Sequence, residues 1–381
     1  MNFLIIALIV LAVVTVAQIL RVFELSGKIN NQDLNDVTEQ DNDRQGKYLL
    51  AFSFIFLGST IAMTIGWWDL LLPYASSEHG EAVDNLMAIS MIMIGVVFLI
   101  TQPVLFYFSY KYRGINGRTA TFFAHNTKLE FIWTIVPALA LTVLISYGLK
   151  VWNDTMDPAD KNSIQIEIYA KQFDWTARYA GTDNKLGRAN VRMVGGMNTL
   201  GVISTPAKDA RIAEIDADIA LFKKKIADSS NAIKNRKSEK VIADLEKVRK
   251  TVIALELQTT PADLKNAEDD VVVRELHLPV GKQVQLNFRS QDIIHSAYFP
   301  HFRVQMNVVP GAHTQFIFKP TQTTAEMKEQ ENNPDFEFIL LCNKICGAAH
   351  YNMQMKVVVE TEEEYNKWLS EQKTLIASLN Q

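Results

Sequence analysis

The only two cysteines of the 381-residue chain stand together in Cys342-Asn343-Lys344-Ile345-Cys346, with His350 shortly after and Met353 beyond it. Thiolate, thioether and imidazole donors in one short stretch select copper over zinc, because zinc sites are closed by Cys, His or carboxylate and gain little from a thioether. A further donor lies upstream at His295, in the run Ile294-His295-Ser296-Ala297-Tyr298-Phe299-Pro300. A loop giving Cys, Cys, His and Met, with a distant His on a neighbouring connection, is how a β-sandwich grips copper at one end. The plainer alternative is a disulfide between Cys342 and Cys346, which an extracytoplasmic compartment permits. The surrounding His and Met residues weigh against it.

What positions these residues is a chain long enough for two or three structural units. It is 48% hydrophobic and its net charge is −4, which gives nucleic acid no basis for binding. Apolar runs crowd the first 150 residues and charged residues follow, the order of a membrane anchor and then a soluble domain.

Four runs, at 3–20, 49–73, 87–109 and 131–149, each approach the roughly twenty residues that cross a bilayer as a helix. The first is also open to reading as a signal peptide, although it has no basic n-region and a poor cleavage site. Arg21, Lys28, Arg44 and Lys47 follow the first run and Lys111, Arg113, Arg118 and Lys128 the third, whereas 74–85 carries neither Lys nor Arg. The positive-inside rule makes the two basic connections cytoplasmic and places both the N-terminus and everything after Val151 outside. Trp67, Trp68, Trp133 and Trp152 fall near the ends of runs, as interface anchors do.

From about Ser163 the period changes to two. Short strands are expected at 163–169, 271–278, 283–288, 314–318, 336–340 and 355–359, with turns at Pro279 to Lys282 and at Pro310-Gly311. This is an all-β sandwich pattern. It is interrupted at 206–258, where Ile212, Ile215, Ile219, Phe222 and Ile226, then Val241, Leu245, Val248, Val252 and Leu255, step by three and four and predict an antiparallel helical hairpin. A closing helix is expected at 362–372.

Cys-x3-Cys-Gly-x2-His-x2-Met, with His295-Ser296 and Val309-Pro310-Gly311 before it, resembles the dinuclear copper A site of cytochrome c oxidase subunit II. His125-Asn126 and the run from Leu129 to Pro137 likewise resemble the opening of that family's second membrane helix. Pro137 within the helix frees a carbonyl that neighbours or a local adjustment must satisfy. The resemblance implies a multi-class membrane protein, transmembrane α-helices followed by a cupredoxin-like all-β sandwich carrying the helical hairpin. The expected division is 1–74 for two additional helices with a cytoplasmic loop, 86–152 for the family's hairpin, 160–361 for the copper domain and 362–381 for the C-terminal helix. It implies a bacterial inner-membrane protein with the copper domain on the periplasmic side, receiving electrons from cytochrome c and passing them to the haem of the catalytic subunit I, which reduces O2 to water. Further oxidase subunits and lipid are the other expected partners.

The site that the resemblance implies has Cys342 and Cys346 as bridges, His295 and Met353 on one copper, and His350 with the Lys344 carbonyl on the other. Two positions depart from the family: Lys344 and Asn307 stand where acids commonly serve a nearby magnesium, so copper is expected here without magnesium. Phe173 and Trp175, with Tyr179 after them, resemble the aromatic patch that receives the electron; Trp175 is equally readable as core. Glu130 matches an acid at the mouth of a proton path in many members, or is a solvated carboxylate near Lys128. Asp335 and Glu337 are candidates for steering a basic cytochrome, or ordinary solvated faces. His301 and His313 are expected to be solvated loop residues, and His79 and His277 show no clustered partner. No Cys-x2-Cys-His occurs, so the donor haem belongs to a separate protein. A membrane-anchored copper chaperone is the alternative from another class, but chaperones of that kind place the histidine far downstream of the cysteines. A quinol oxidase subunit would lack the cysteines, and nitrous oxide reductase the membrane hairpin.

Overall fold

The computed structural model describes residues 2–29, 37–122, 124–156, 160 and 162–379. The chain divides into two units, one of Met1–Leu72 with Ile89–Leu139 and one of Pro73–Ala88 with Ala140–Gln381. Four long helices come first: α1 (Asn2–Ile29), α2 (Glu39–Gly66), α3 (Gly80–Lys111) and α4 (Thr127–Thr155). Among the described residues, α2, α3 and α4 are long and apolar enough to cross a membrane, while α1 offers a shorter described apolar stretch, Val13–Phe23. The connection after α1 lies largely outside the described residues.

α2, α3 and α4 begin four to ten residues before their apolar runs, whereas α1 begins at Asn2, beside its run. Thr38 and Asp41 form a reciprocal capping box that starts α2 ten residues ahead of the apolar stretch. In the helical unit α2 packs on α3 through Phe52, Phe56, Phe98 and Phe106, with ring centroids 5.7 to 6.4 Å apart across the helix pair. Arg113 closes one end of that seam on Asp43 at 2.8 Å. At the start of α4 the Asn126 side chain accepts from the Leu129 amide at 3.1 Å, and Glu130 accepts from the Asn126 amide at 3.3 Å. Glu130 therefore has a local capping duty of its own.

The other unit holds, among the described residues, a sandwich of ten strands: β1 (Ile164–Lys171), β2 (Asp174–Tyr179), β3 (Val271–Val273), β4 (Leu276–Pro279), β5 (Val284–Ser290), β6 (His295–Phe299), β7 (Val304–Val308), β8 (Thr314–Phe318), β9 (Phe338–Cys342) and β10 (Gln354–Glu360). They form two sheets, ordered β3-β2-β1-β5-β8 and β4-β10-β9-β6-β7. Ile166, Ile168, Leu286 and Phe288 from the first sheet meet Leu276, Phe299, Phe338, Leu340 and Val357 from the second in one buried core. Alternation along β5 and β10 puts every second side chain there. The expected strand at 271–278 is two strands in different sheets: the chain changes sheets at Arg274-Glu275.

Between β2 and β3 runs the insertion. Its hairpin is α5 (Thr205–Ala227), capped by Ser204, and α6 (Ala232–Leu257), followed by a short α7 (Pro261–Asn266). Ile215, Ile219 and Val252 are buried with Met193, Ile203 and Ala207 near the base of the hairpin. On α6 it is Ile242 that joins this cluster, while Val241 is 37% exposed, a shift of one position from the expected stripe.

The insertion also covers the outer face of β1 and β2, which is why polar side chains are buried there. Arg178 donates through Nε to Glu167 at 2.7 Å and through Nη1 to Asp270 and to the Gly187 carbonyl, both at 2.8 Å. Arg289 holds the other Glu167 oxygen at 2.7 Å and the Leu200 carbonyl at 2.7 Å. Burial would raise Glu167, but the two guanidinium groups outweigh it and hold its carboxyl below the ordinary value. Burial wins at Asp270 and pushes it up to about 6, against the pull of Arg178.

The segment Pro73–Ala88, which joins α2 to α3 and includes the start of α3, is laid onto the sandwich. The Ser76 amide donates to the His301 carbonyl at 2.7 Å, the Thr321 amide donates to the Ser76 carbonyl at 2.9 Å, and Arg303 grips Asp84 at 2.6 Å. Thr323 and Thr361 open α8 (Thr324–Gln330) and α9 (Glu362–Glu371) with capping boxes, and α10 (Leu375–Leu379) ends the described chain. His277 is stacked on Trp368 of α9 at 3.9 Å and bonded to Glu360 at 2.8 Å, so it has partners the sequence did not reveal.

Candidate metal centre

Strand pairing assembles the donors. β6 pairs with β9 with Ala297 opposite Cys342, which brings His295, at the start of β6, beside the loop that follows β9. That loop is pinned at both ends: the Cys342 amide donates to the Met353 carbonyl at 3.0 Å, and the Asn343 amide to the Ser296 carbonyl at 2.9 Å. Within it Gly347 has φ +135°, and a Cβ there would sit 2.9 Å from the Phe173 ring. Only glycine lets the loop lie this close to the β1–β2 turn.

Both cysteines are free and buried. Their sulfurs are 3.8 Å apart, far beyond the roughly 2.0 Å of a disulfide. Cys342 Sγ is 3.9 Å from His295 Nδ1 and 3.2 Å from the Lys344 carbonyl oxygen. Cys346 Sγ is 3.6 Å from His350 Nδ1 and 3.7 Å from Met353 Sδ. All six expected donors thus converge, and the His295, Cys342 and Cys346 ligand atoms lie within 4.8 Å of one another. Burial, then the neighbouring Cys342 thiol, pushes the Cys346 thiol up to about 11. A metal arriving here must displace that proton, which makes its affinity rise with pH.

One functional residue escaped the sequence reading. Asp292 accepts from His295 Nε2 at 2.8 Å, from the Gln172 amide at 2.6 Å and from the Ile293 amide at 2.7 Å. With Nε2 donating to Asp292, Nδ1 is left as the lone-pair donor toward Cys342. Burial alone would raise Asp292, but the His295 bond and the two amides hold its carboxyl below the ordinary value. The spacing Asp-x2-His was the available signal. Asp292→Asn is expected to weaken metal affinity about 10- to 100-fold while leaving the fold in place, read by competition against a chelator of known affinity; unchanged affinity would remove Asp292 from the site.

Of the aromatic pair, Phe173 is half-buried against Gly347, while Trp175 is fully buried, its ring centroid 6.0 Å from that of His295 in an edge-on arrangement. Gln172 between the turn and the loop donates to the Cys346 carbonyl at 2.6 Å. Asn307 is exposed on β7 opposite Ser296. His301 is not a solvated loop residue: it is half-buried, edge-on to Phe336 and Phe338 at 5.1 and 5.4 Å, and burial pulls it down to about 4. His313 is exposed. Asp335 and Glu337 precede β9 and so lie at the opposite end of that strand from Cys342, Glu337 paired with Lys356 at 2.8 Å.

A two-sheet sandwich with a buried sulfur-rich donor cluster at one end, following membrane-spanning helices, defines a membrane-anchored cupredoxin-like protein. Residues 66–151 match the family described as cytochrome c oxidase subunit II, transmembrane domain, and residues 249–361 match its periplasmic domain, just over half of the chain between them. The chain belongs to the cytochrome c oxidase subunit II family and is a subunit of an oxidoreductase complex. It is similar to the alternative cytochrome c oxidase subunit 2 of Bradyrhizobium diazoefficiens, 28% identical over 311 residues, 81% of this chain and 84% of the relative. The cytochrome c oxidase subunit 2 of Thermostichus vulcanus is 25% identical over 312 residues, 81% of this chain and 80% of the relative. Among solved structures, the periplasmic domain of cytochrome oxidase subunit II from Bradyrhizobium japonicum aligns with 56% of this chain and 95% of its own, at 16% identity and a TM-score of 0.28. The family matches leave α1, nearly all of α2, and most of the helical hairpin uncovered.

Proposed function

We propose that this chain receives electrons from a c-type cytochrome at a dinuclear copper centre and delivers them to the haem of the catalytic oxidase subunit. The observation that carries the reading is two unlinked, buried sulfurs 3.8 Å apart, each with its own imidazole. In this reading Cys342 and Cys346 would serve both ions, His295 and Met353 would hold one of them, and His350 with the Lys344 carbonyl would hold the other. When bound, such a pair supplies a one-electron relay whose bonds change little in length, since the charge is spread over both metals and both thiolates.

The chain's own residues do the rest. Asp292 fixes the tautomer of His295, the β6–β9 pairing sets its distance from the loop, and the buried sulfurs keep water from the centre. Lys344 supplies a carbonyl but no carboxylate, and Asn307 a neutral amide, so no magnesium is expected to be held by this chain. Phe173 touches the loop from outside and is the aromatic best situated to pass an electron inward. We place the protein in the bacterial inner membrane as a multi-pass subunit with four crossings, sandwich on the periplasmic side, beside subunit I and further oxidase subunits.

Rapid mixing of the purified complex with reduced cytochrome c tests this: reduction of the copper absorption should precede that of the haem. Haem reduction with no prior change at copper, or a Cys342–Cys346 disulfide in the assembled protein, contradicts it. Met353→Leu is expected to retain both ions and shift the reduction potential, measured by redox titration, because a thioether would be a weak donor that tunes rather than holds the metal; loss of all copper would overturn that role.

A further inference from the structure

We propose that a cleft between the sandwich and the adjoining ends of α3 and α4 binds the headgroup of a lipid that carries a primary ammonium beside its phosphate, a phosphatidylethanolamine. The cleft lies wholly within the sandwich-bearing unit and encloses about 310 Å³. Its apolar lining is buried Val151 of α4 and buried Phe318 with half-buried Ile317 of β8. Backbone bonds fix its walls. The Glu78 amide donates to the Lys319 carbonyl at 3.0 Å, and the Gln283 side-chain oxygen accepts from the Asp160 amide at 2.7 Å and from the Ser163 hydroxyl. Depth decides what reaches it. The apolar run of α4 ends at 149 and that of α3 begins at 87; Val151, Asp154 and Thr155 lie two to six residues past the first limit and Ala82 five before the second. At about 1.5 Å per residue this is about 3–9 Å beyond the hydrocarbon edge. The headgroup layer occupies about 5–8 Å on each side, so the cleft opens at the level of phosphate and ammonium groups.

Charge and donor chemistry select the headgroup. The acids at the cleft are Glu78 and Asp154, with Asp160 beside Gln283, and the base is Lys319, so carboxylates are in excess. Among the charges just outside it, Glu81 and Lys150 offset one another, Asp84 is paired with Arg303, and Lys282 with Glu362. Burial pulls His79 below its ordinary value, so its ring adds no positive charge at neutral pH. Lys319 is 3.4 Å from Glu78, whereas the exposed Asp154 carboxylate has neither a hydrogen bond nor an ion pair among the described residues. A primary ammonium offers three N–H donors to such acceptors, and Lys319 is the cation for the phosphate beside it. A phosphatidylglycerol headgroup has the phosphate without the ammonium, and choline has the positive charge but no N–H to donate.

The test uses the full-length chain, purified in detergent and stripped of lipid, then titrated with phosphatidylethanolamine, phosphatidylglycerol and phosphatidylcholine of identical acyl chains. Bound lipid is counted by native mass spectrometry. Phosphatidylethanolamine should bind about tenfold more tightly than either of the others. Asp154→Asn combined with Glu78→Gln should reduce that preference to about twofold or less, with the fold unchanged by circular dichroism. Asp154→Lys should turn the preference toward phosphatidylglycerol. Equal binding of the three lipids, or a preference that survives the paired carboxylate variant, overturns the proposal. Soluble glycerophosphoethanolamine binding as tightly as the lipid also overturns it, since the occupant is then a free amine and not a component of the bilayer. A photoreactive amino acid at Thr155 that crosslinks to another oxidase subunit in the purified complex makes the cleft an assembly contact and likewise overturns it. None of these readouts depends on copper, so failure here leaves the electron-transfer reading untouched.

Discussion

Cys346→Ser is expected to empty the centre, leaving less than one copper per purified chain and removing its strong visible absorption. Cys346 is the hub of the site: its sulfur faces Cys342 at 3.8 Å, His350 Nδ1 at 3.6 Å and Met353 Sδ at 3.7 Å, and the residue is 1% exposed. A serine hydroxyl keeps its proton at neutral pH and is a hard donor, so it can neither bridge two ions nor share charge with them. The change in volume is small, and the backbone bonds that pin the loop run through Cys342, Asn343 and Met353 rather than through the Cys346 sulfur. The domain should therefore remain folded by circular dichroism while metal analysis reports the loss. Two copper ions retained in this variant would mean that the sulfur is not a bridge.

The largest effect on stability is expected at a distance from the metal. Arg178→Met should destabilise the sandwich by about 3–5 kcal/mol, because it leaves buried Asp270 without a cation and takes from Glu167 one of its two. Arg178 is 2% exposed, Glu167 6% and Asp270 0%. Glu167 keeps Arg289, but Asp270 is left with the Gly187 amide at 3.1 Å, and its Oδ1 already has no partner. Denaturant unfolding of the wild-type and variant chains under identical conditions reads the difference; a loss below about 1 kcal/mol would show the cluster to be solvated and the insertion loosely attached. Asp270 adds a pH dependence of known sign. The folded protein keeps its proton up to about 6, whereas the ordinary carboxyl releases it near 3.8. The stability carried by that proton is full below the lower value and gone once pH has risen through the higher.

The two cases differ in how far the sequence announces them. Cys342, Cys346, His350 and Met353 fall within one short window, so their chemistry is legible without any fold. His295 is legible only as a donor in need of a position; the position comes from the register that sets Ala297 opposite Cys342. The cluster of Glu167, Arg178 and Asp270 has no local signal, since it exists only because the insertion returns over the outer face of β1 and β2. Strands with regular alternation, such as β5, β8 and β10, stand out from sequence. β2, β6 and β7 are harder to see, because each is only five or six residues long and β6 opens with His295 at an inward position in place of an apolar side chain. The sheet change at Arg274-Glu275 is likewise invisible, as both halves carry the same β-rich composition. On α6, a half-exposed helix leaves Val241 and Ile242 equally suited to the stripe, and packing against α5 chooses Ile242.

The central claim is that two thiolates of this chain are shared by two copper ions. Copper analysis and electron paramagnetic resonance on the same purified, oxidised full-length protein test it most directly. The expected result is two ions per chain and the hyperfine pattern of one unpaired electron divided between two copper nuclei. A single ion per chain, with the pattern of an electron confined to one nucleus, would contradict it.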